Sequence, residues 1–359
     1  MKEKVFRQLI INPGSASTKL AVYENESCLF EKKIDHPASD LQRFPRVADQ
    51  REYRLNLILD TLAEWGFFPD SLAAVVGRGG LLQPMESGTY LVNEKMKHDL
   101  IEAPREEHAA NLGALLADEI AGKAGSPAFI VDPVCTDEMD EVARISGLPE
   151  LERVSLCHTL NMKAVARKVA ASLGRCLEDC NFVVAHLGSG ITVSPFRKGR
   201  IVDCNSAIQE GPFSPVRCGG LPAMDLMKLC YSGRFSFQEM YEKLMQRGGL
   251  QAYLGTSEVQ EAERLAADGD EKARLVLEAM AYQIAKEIGA MAAVLSGEVD
   301  RVIITGGIAY SQLITSRVIA RVRFIAPVEV APGEEELESL ALGGLRVLRG
   351  EEQPKTYLG

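Results

Sequence analysis

The sequence has no long hydrophobic run. Although 46% of its 359 residues are hydrophobic, no apolar stretch approaches the ~18 to 20 residues that a membrane-spanning helix needs. The N-terminus is charged and its apolar run is short (Leu9–Ile11), so a secretory signal peptide is not expected. We therefore expect a cytoplasmic protein that has no membrane partner.

The chain also lacks paired cysteines and an excess of positive charge. Its eight Cys residues include no C-x-x-C pair, and Cys176 and Cys180, which are spaced like zinc ligands, have no second pair or nearby His. We expect all eight to be reduced thiols. The formal charge of −10 argues against nucleic acid or an anionic membrane as a partner, so local Arg and Lys residues would have to attract any anionic substrate.

The most informative segment present is a turn of small hydrogen-bonding residues between two strands, which are predicted over 8–11 and 19–23. The turn contains Gly14, Ser15, Ser17 and Thr18, and Lys19 follows it. Its backbone N–H groups, three hydroxyls and one ammonium suit a polyphosphate. A strand and not a helix comes next, so the turn is not a P-loop.

A second segment resembles the first. Residues 185–189 align without gaps with residues 11–15, and each segment lies between two predicted strands. The similarity predicts a duplicated domain, with a chance match between two glycine hairpins as the alternative. The second turn carries His186, Gly188 and Gly190. It lacks the third glycine of a dinucleotide fingerprint and precedes a strand, so the Rossmann interpretation fails.

Alternating strands and helices predict an α/β architecture. The length favours two domains, residues 1–150 and 151–334, with a C-terminal helix at about 335–350 that could pack back on the first. The other predicted elements are helices over 55–65, from Pro104 to about 123, 156–173 and 277–295, and strands over 128–131 and 302–304.

Several residues near glycines or element ends are candidates for chemistry. Arg78 and Arg217 are flanked by glycines, which leave room for a ligand beside each guanidinium; surface salt bridges are the alternative. Asp132 follows a strand, where carboxylates bind Mg²⁺ or form turns. Thr305, Gly306, Gly307 and Ile308 also follow a strand, as in a nucleotide contact or a packing turn.

The histidines divide into two groups. His108 and His158 begin predicted helices and His186 lies in the second turn, whereas His36 and His98 lack such a context and are expected to be exposed. No His pair has ligand spacing, so zinc is not expected.

These residue types suit phosphoryl transfer to a carboxylate. Such an acceptor, with a pKa of about 4, is already ionised and needs no general base. The obstacle to the reaction is electrostatic repulsion between the acceptor carboxylate and the γ-phosphate, which Arg, His and Mg²⁺ would reduce.

Taken together, the motifs resemble those of the acetate and butyrate kinase family, and its butyrate branch in particular, within the actin, sugar kinase and Hsp70 superfold. A Gly-Asp-x-Asp-Pro stretch that acetate kinases carry after the equivalent of Arg217 is absent here. The resemblance is carried by residues 11–19, 77–82, 88–90, 108–113, 132–134, 143–147, 158–167 and 210–222.

This resemblance implies duplicated actin-like (ribonuclease H-like) domains with a nucleotide cleft between them. It implies reversible, ATP-dependent phosphorylation of butyrate to butyryl phosphate, with ATP/ADP and Mg²⁺ as cofactors, by a homodimer or larger oligomer. Two alternatives remain: a kinase of branched-chain acids, propionate or acetate from the same family, and a non-catalytic ATP-binding protein of the superfold.

The resemblance also implies roles for individual residues. Asn12 would contact the transferring phosphoryl group, while Arg78 and Arg217 would hold the carboxylate and stabilise the transition state. His158 would bind phosphoryl oxygens with His108 nearby. Mg²⁺ would be held through waters by Asp132 and by Glu336, or Glu334 in the alternative register. The nucleotide and its phosphates would meet Gly14, Ser15, Ser17, Lys19, His186, Gly188, Gly190, Thr305, Gly306, Gly307 and Ile308.

Overall fold

The computed structural model describes residues 4–359, which separate into two compact units. The first unit contains the residues up to Asp137 together with Glu335–Gly359, and the second is Glu138–Glu334. The division therefore falls before residue 150, because the segment after Asp137 is bound to the second unit. Buried Glu138 accepts a hydrogen bond from Lys163 Nζ at 2.7 Å, and the Asp140 N–H donates to the carbonyl of Val202.

Residues 4–359 form twelve strands and thirteen α-helices. The strands are β1 (Arg7–Pro13), β2 (Ser17–Glu24), β3 (Ser27–Asp35), β4 (Ala74–Arg78), β5 (Thr89–Leu91), β6 (Ala128–Val131), β7 (Asn181–Leu187), β8 (Ile191–Arg197), β9 (Arg200–Ile201), β10 (Arg301–Gly306), β11 (Val328–Pro332) and β12 (Lys355–Thr356). The helices are α1 (Ala38–Leu41), α2 (Arg51–Glu64), α3 (Glu94–Glu102), α4 (Leu112–Ala124), α5 (Glu141–Arg144), α6 (Thr159–Ser172), α7 (Ala223–Cys230), α8 (Phe237–Met245), α9 (Gly249–Leu254), α10 (Val259–Ala267), α11 (Glu271–Val294), α12 (Gln312–Val322) and α13 (Glu336–Arg349).

The first unit is built on a seven-stranded sheet in the order β12-β5-β6-β4-β1-β2-β3. Side chains of β1 alternate between its two faces. Leu9 and Ile11 pack in one buried cluster with apolar residues of α2 and α4, while the Gln8 side chain donates to the Ala341 carbonyl in α13 at 3.1 Å. Helices therefore cover both faces, and the C-terminal helix completes this unit.

The second unit repeats this plan on a five-stranded sheet in the order β11-β10-β7-β8-β9. Val183 and Ala185 of β7 pack with α11 and α12, whereas Phe182 and Val184 pack with α6 on the opposite face.

The two sheets share one topology. In each, a central strand (β1 or β7) forms an antiparallel hairpin with the next strand and lies parallel to a later strand (β4 or β10) on its other side. The sheets extend outward in the same order, to β3 or β9 and to β6 or β11. The predicted duplication is confirmed.

Two local predictions were wrong. Pro104 does not begin a helix: it follows α3, whose C-cap Ala103 has a left-handed φ of 49°, a place where proline is common because it cannot continue a helix. The next α-helix, α4, begins only at Leu112. His36, expected to be exposed, is 4% exposed because its ring pairs with Thr18.

None of the helices within residues 4–359 combines the length and the apolar character needed to cross a bilayer.

Candidate active site

In the first unit three predicted residues form one polar cluster, which we call the Asn12 cluster (Asn12, Arg78 and Glu336). Arg78 Nη1 lies 2.6 Å from Glu336 Oε1 and donates to Asn12 Oδ1 at 3.2 Å. Asn12 Nδ2 donates to Glu336 Oε2 at 2.7 Å. Each member thus contacts the other two.

Sheet topology brings these residues together. Asn12 lies near the end of β1 and Arg78 ends the parallel neighbour β4, paired through Ile11 and Gly77, and carboxyl ends of parallel strands meet at one sheet edge. Glu336 is the first residue of α13. The structure therefore places Glu336, and not Glu334, with Asn12 and Arg78.

His108 lies beside this cluster. Burial, together with the positive charge of Arg78, lowers the pKa of His108. Its Nδ1 accepts a hydrogen bond from the Ala110 N–H at 3.1 Å, as the cap of a short 3₁₀ turn, Ala109–Asn111. Asn111 then accepts from the Leu81 N–H at 2.8 Å, which fixes the glycine-rich segment after Arg78.

Asp132, at the end of β6, is held rigidly. It is 1% exposed, its Oδ1 accepts from the Gly88 N–H at 2.8 Å, and its own N–H donates to the Gly88 carbonyl at 3.0 Å. Its φ of 38° is uncommon for a residue other than glycine, and such strain is often found at functional sites.

The turn between β1 and β2 has the exposure that an anion site needs. Ser15, Ala16 and Lys19 are exposed, whereas Thr18 is buried. The Gly14 N–H closes the turn on the Ser17 carbonyl at 2.7 Å. Beneath it lies Arg54 of α2, which hydrogen-bonds to the turn and which the sequence analysis missed.

In the second unit two predicted histidines stack on each other. The ring centroids of His158 and His186 are 3.9 Å apart and their planes differ by 12°. His158 Nδ1 lies 2.8 Å from Thr192 Oγ1, and His186 Nδ1 lies 2.8 Å from Asn161 Oδ1. These hydroxyl and amide contacts fix both rings.

Glu334 belongs to this histidine pair. Its Oε1 lies 3.0 Å from His186 Nε2, and a Cβ at Gly188 would come 3.0 Å from the same oxygen. The absence of a side chain at Gly188 therefore gives the carboxylate access to the ring.

Arg217 lies against the second glycine turn. A Cβ at Gly190 would overlap with Arg217 Nη1, and this nitrogen donates to the Ala207 carbonyl at 3.1 Å. The Arg217 N–H donates to Ser214 Oγ at 3.1 Å, whose hydroxyl donates to the Ser189 carbonyl at 2.5 Å. Burial lowers the pKa of Arg217, but a guanidinium remains charged at neutral pH.

Gly79-Gly80 and Gly306-Gly307 occupy equivalent positions in the two sheets. Gly77 pairs with Ile11 and Ile304 pairs with Ala185, so Arg78 corresponds to Thr305, and the glycines that follow each of them correspond as well. In the second unit Thr305 Oγ1 donates to the Gly333 carbonyl at 3.3 Å. The Ile308 side chain is buried in the core, so only its backbone remains available to a nucleotide.

The carboxylates predicted to hold Mg²⁺ do not form a complete metal site by themselves. No group of three or more His, Cys, Asp or Glu side chains within residues 4–359 is arranged as a metal site. Mg²⁺ commonly uses only one or two protein carboxylates together with waters and substrate phosphates. Asp132 and Glu336 are the two carboxylates predicted for that role, and Glu336 already binds a cationic group, Arg78.

Comparison with known proteins gives a consistent result. Residues 153–338 match the model of the acetokinase family. The chain is 48% identical over 354 residues to butyrate kinase 1 of Clostridium acetobutylicum, an alignment that covers 98% of this chain and 100% of that protein.

Solved structures show the same fold. An acetate kinase of Porphyromonas gingivalis superposes with a TM-score of 0.80 at 19% identity, over 96% of this chain and 100% of that one. A propionate kinase of Francisella tularensis subsp. tularensis gives a TM-score of 0.70 at 18% identity, over 94% and 98%. The duplicated actin-like architecture expected from the sequence is the one observed.

Proposed function

This chain belongs to the acetate and butyrate kinase family, and from that premise we propose that it phosphorylates butyrate to butyryl phosphate with ATP. A carboxylate oxygen forms a bond to the γ-phosphorus, the bond from that phosphorus to the β–γ bridging oxygen breaks, and ADP leaves with the electron pair. The reaction is reversible because an acyl phosphate transfers readily to ADP. The observation that carries the proposal is the Asn12 cluster, in a chain 48% identical to a butyrate kinase.

The reaction requires charge compensation and little else. The acceptor carboxyl, with a pKa of about 4, is ionised at neutral pH and needs no base. Two anions must approach each other, so the protein must neutralise them and hold them in line. In this proposal Arg78 and Arg217 supply the positive charges, and Asn12 and His158 orient the phosphoryl oxygens with His108 nearby.

The contacts in the structure support these assignments. Arg78 keeps about one-third of its side chain exposed, so its guanidinium is accessible to a carboxylate. Arg217 is held by the Ala207 carbonyl and by its backbone contacts, so its position is defined before substrate binds. Fixed positive groups stabilise a transition state without reorganisation.

Asp132 and Glu336 would hold Mg²⁺ through its waters in this proposal. When bound, the ion neutralises nucleotide phosphate charge. The nucleotide itself would contact the first turn (Gly14, Ser15, Ser17 and Lys19), the second turn (His186, Gly188 and Gly190) and the backbone of Thr305–Ile308.

The choice of acid is tested by initial rates with Mg·ATP and a series from acetate to valerate, including isobutyrate, trapping the acyl phosphate with hydroxylamine. Butyrate buries two more CH₂ groups than acetate, worth about 0.8 kcal/mol each, which predicts roughly 15-fold higher kcat/KM. If kcat/KM is higher for acetate, propionate or isobutyrate than for butyrate, that acid is the preferred substrate and the assignment of butyrate is wrong. ATP binding without hydroxamate from any acid would contradict kinase activity.

We also propose a homodimer or larger assembly. The second unit exposes large apolar side chains along one groove, including Leu221, Tyr253 and Leu275, which are 43%, 55% and 68% exposed. Such patches are typical of protein interfaces. Light scattering should then give at least twice the chain mass of 39.2 kDa; a monomer mass would contradict it. A cytoplasmic location and the lack of a nucleic-acid partner stay predictions from composition.

A further inference from the structure

A buried arginine lies beneath the first turn. Arg54 of α2 is 1% exposed. Its Nη1 donates to the Gly14 carbonyl at 2.9 Å and to Thr18 Oγ1 at 3.1 Å. Its Nη2 donates to the Ser15 carbonyl at 3.3 Å. One side chain thus holds the whole length of the turn.

These contacts determine which backbone groups face outward. In a trans peptide the C=O and the following N–H point in opposite directions. Because the carbonyls of Gly14 and Ser15 point at Arg54, the N–H groups of Ser15 and Ala16 point away from it. Both of those residues are exposed. Two adjacent outward N–H groups form an anion-binding nest, and the oxygens that would repel an anion are covered.

Arg54 also retains its charge. Within residues 4–359 its hydrogen-bond acceptors are all neutral: the turn's carbonyls and Thr18 hydroxyl, and Gln50 Oε1, which accepts from Nε at 3.1 Å and Nη2 at 2.8 Å. Burial lowers its pKa to about 10, so it is a cation at neutral pH. Arg78, by contrast, faces a carboxylate. The positive charge of Arg54 is therefore uncompensated directly behind the nest.

We propose that Arg54 is a positioning residue for nucleotide phosphate: it orients the N–H groups of the Gly14–Thr18 turn outward and places a positive charge behind them. The inference rests on the proposed role of this turn in phosphate binding. A purely structural role, in which Arg54 only stabilises the fold, is the competing interpretation.

The first test compares Arg54→Lys and Arg54→Gln by calorimetric titration with Mg·ADP, by KM for Mg·ATP and butyrate, and by melting temperature. Arg54→Gln removes the charge and the fork of donors, so we expect nucleotide affinity to fall about tenfold or more, with the butyrate KM unchanged within about twofold. Arg54→Lys keeps the charge but not the fork of donors, so its nucleotide affinity should lie between those of Arg54→Gln and the unmodified protein.

A second variant separates charge from folding. Gln50→Glu keeps the acceptor of Arg54 and adds a carboxylate at the N-cap of α2, where a negative charge is favourable and should preserve or raise the melting temperature. The same carboxylate cancels the charge behind the nest, so nucleotide affinity should still fall severalfold. A purely structural role predicts the opposite, an unchanged affinity, and that result would overturn the charge part of the proposal even if Arg54→Gln does not fold.

Two controls distinguish the possible failures. Arg7→Gln changes an arginine at the far end of the same hairpin, where it pairs with Glu24, and should leave nucleotide affinity unchanged. Lys19→Met tests the turn itself. If Lys19→Met weakens Mg·ADP binding and the Arg54 and Gln50 variants do not, the inference on Arg54 is wrong. If none of them weakens binding, the turn does not bind phosphate and that part of the proposed function fails.

Discussion

Gly190 lies so close to the guanidinium of Arg217 that a methyl group on Gly190 would overlap with Nη1. The atom it would meet is the far end of a flexible side chain, so Gly190→Ala should displace Arg217 and leave the fold intact. We expect kcat to fall about 100-fold, the cost of misplacing a catalytic group by about 1 Å, with little change in melting temperature.

Gly289→Ala is the matched control for this substitution. Gly289 lies inside α11, and a Cβ there would meet no atom within 4 Å. Alanine is the better helix former by up to about 1 kcal/mol, so this variant should be as active and slightly more stable. Full activity of Gly190→Ala would show that the position of Arg217 is unimportant.

Removal of the Arg217 guanidinium should affect turnover far more than nucleotide binding. An arginine that stabilises a phosphoryl-transfer transition state contributes about 10³–10⁵ in rate, so we expect Arg217→Ala to lose that order of kcat while its dissociation constant for Mg·ATP changes little. Single-turnover kinetics and calorimetry measure the two effects. Arg264→Ala, which removes an exposed arginine of α10, is the control; equal turnover of both variants would remove Arg217 from its role.

The two carboxylates at the start of α13 should differ in their effect on Mg²⁺. Glu336 contacts Asn12 and Arg78, whereas Glu334 contacts His186. We expect Glu336→Gln to raise the Mg²⁺ concentration for half-maximal rate about 10- to 100-fold, and Glu334→Gln to leave it unchanged. A Mg²⁺ titration of each variant at saturating ATP measures this. The reverse result would assign the metal to Glu334.

Acid should destabilise the protein partly through His36. Burial, with Arg54 nearby, lowers its folded-state pKa to about 4, against about 6.5 when unfolded. Between these values the unfolded chain binds more protons, so the free energy of unfolding decreases as pH falls from about 6.5 to about 4. Urea titrations across this window should show a smaller decrease for His36→Gln. His98→Gln, at an exposed site, is the control. An equal decrease in the free energy of unfolding of the His36→Gln and His98→Gln variants would exclude His36 as a cause.

The sequence predicted the elements whose signals are local. Both glycine hairpins and the strand Ala128–Val131 follow from apolar runs interrupted by turn residues. The duplication was visible because the two turns repeat one short motif. Arg78 and Arg217 stood out because glycines lie near them in the sequence, but the glycine that leaves room for the Arg217 guanidinium is Gly190 of the second turn, which is distant in sequence.

Other features depend on contacts distant in sequence. Arg54 is an ordinary charged residue in a helical pattern, and its role arises from contacts with Gly14 and Thr18 about 40 residues earlier. His36 is buried for the same reason, through Thr18. Glu334 and Glu336 are only two residues apart, so the sequence alone does not show which of them contacts Asn12 and Arg78. The structure shows that Glu336 does, because α13 begins at this residue.

The assignment of Glu335–Gly359 to the first unit has a consequence for folding during synthesis. The helix that covers one face of the N-terminal sheet (α13), and one strand of that sheet (β12), leave the ribosome only after the whole second unit has left it. The second unit, continuous in sequence, can fold as soon as it emerges, while the first must wait for Glu335–Gly359. We expect stalled chains that end before residue 335 to contain a protease-resistant second unit and a protease-sensitive N-terminal segment.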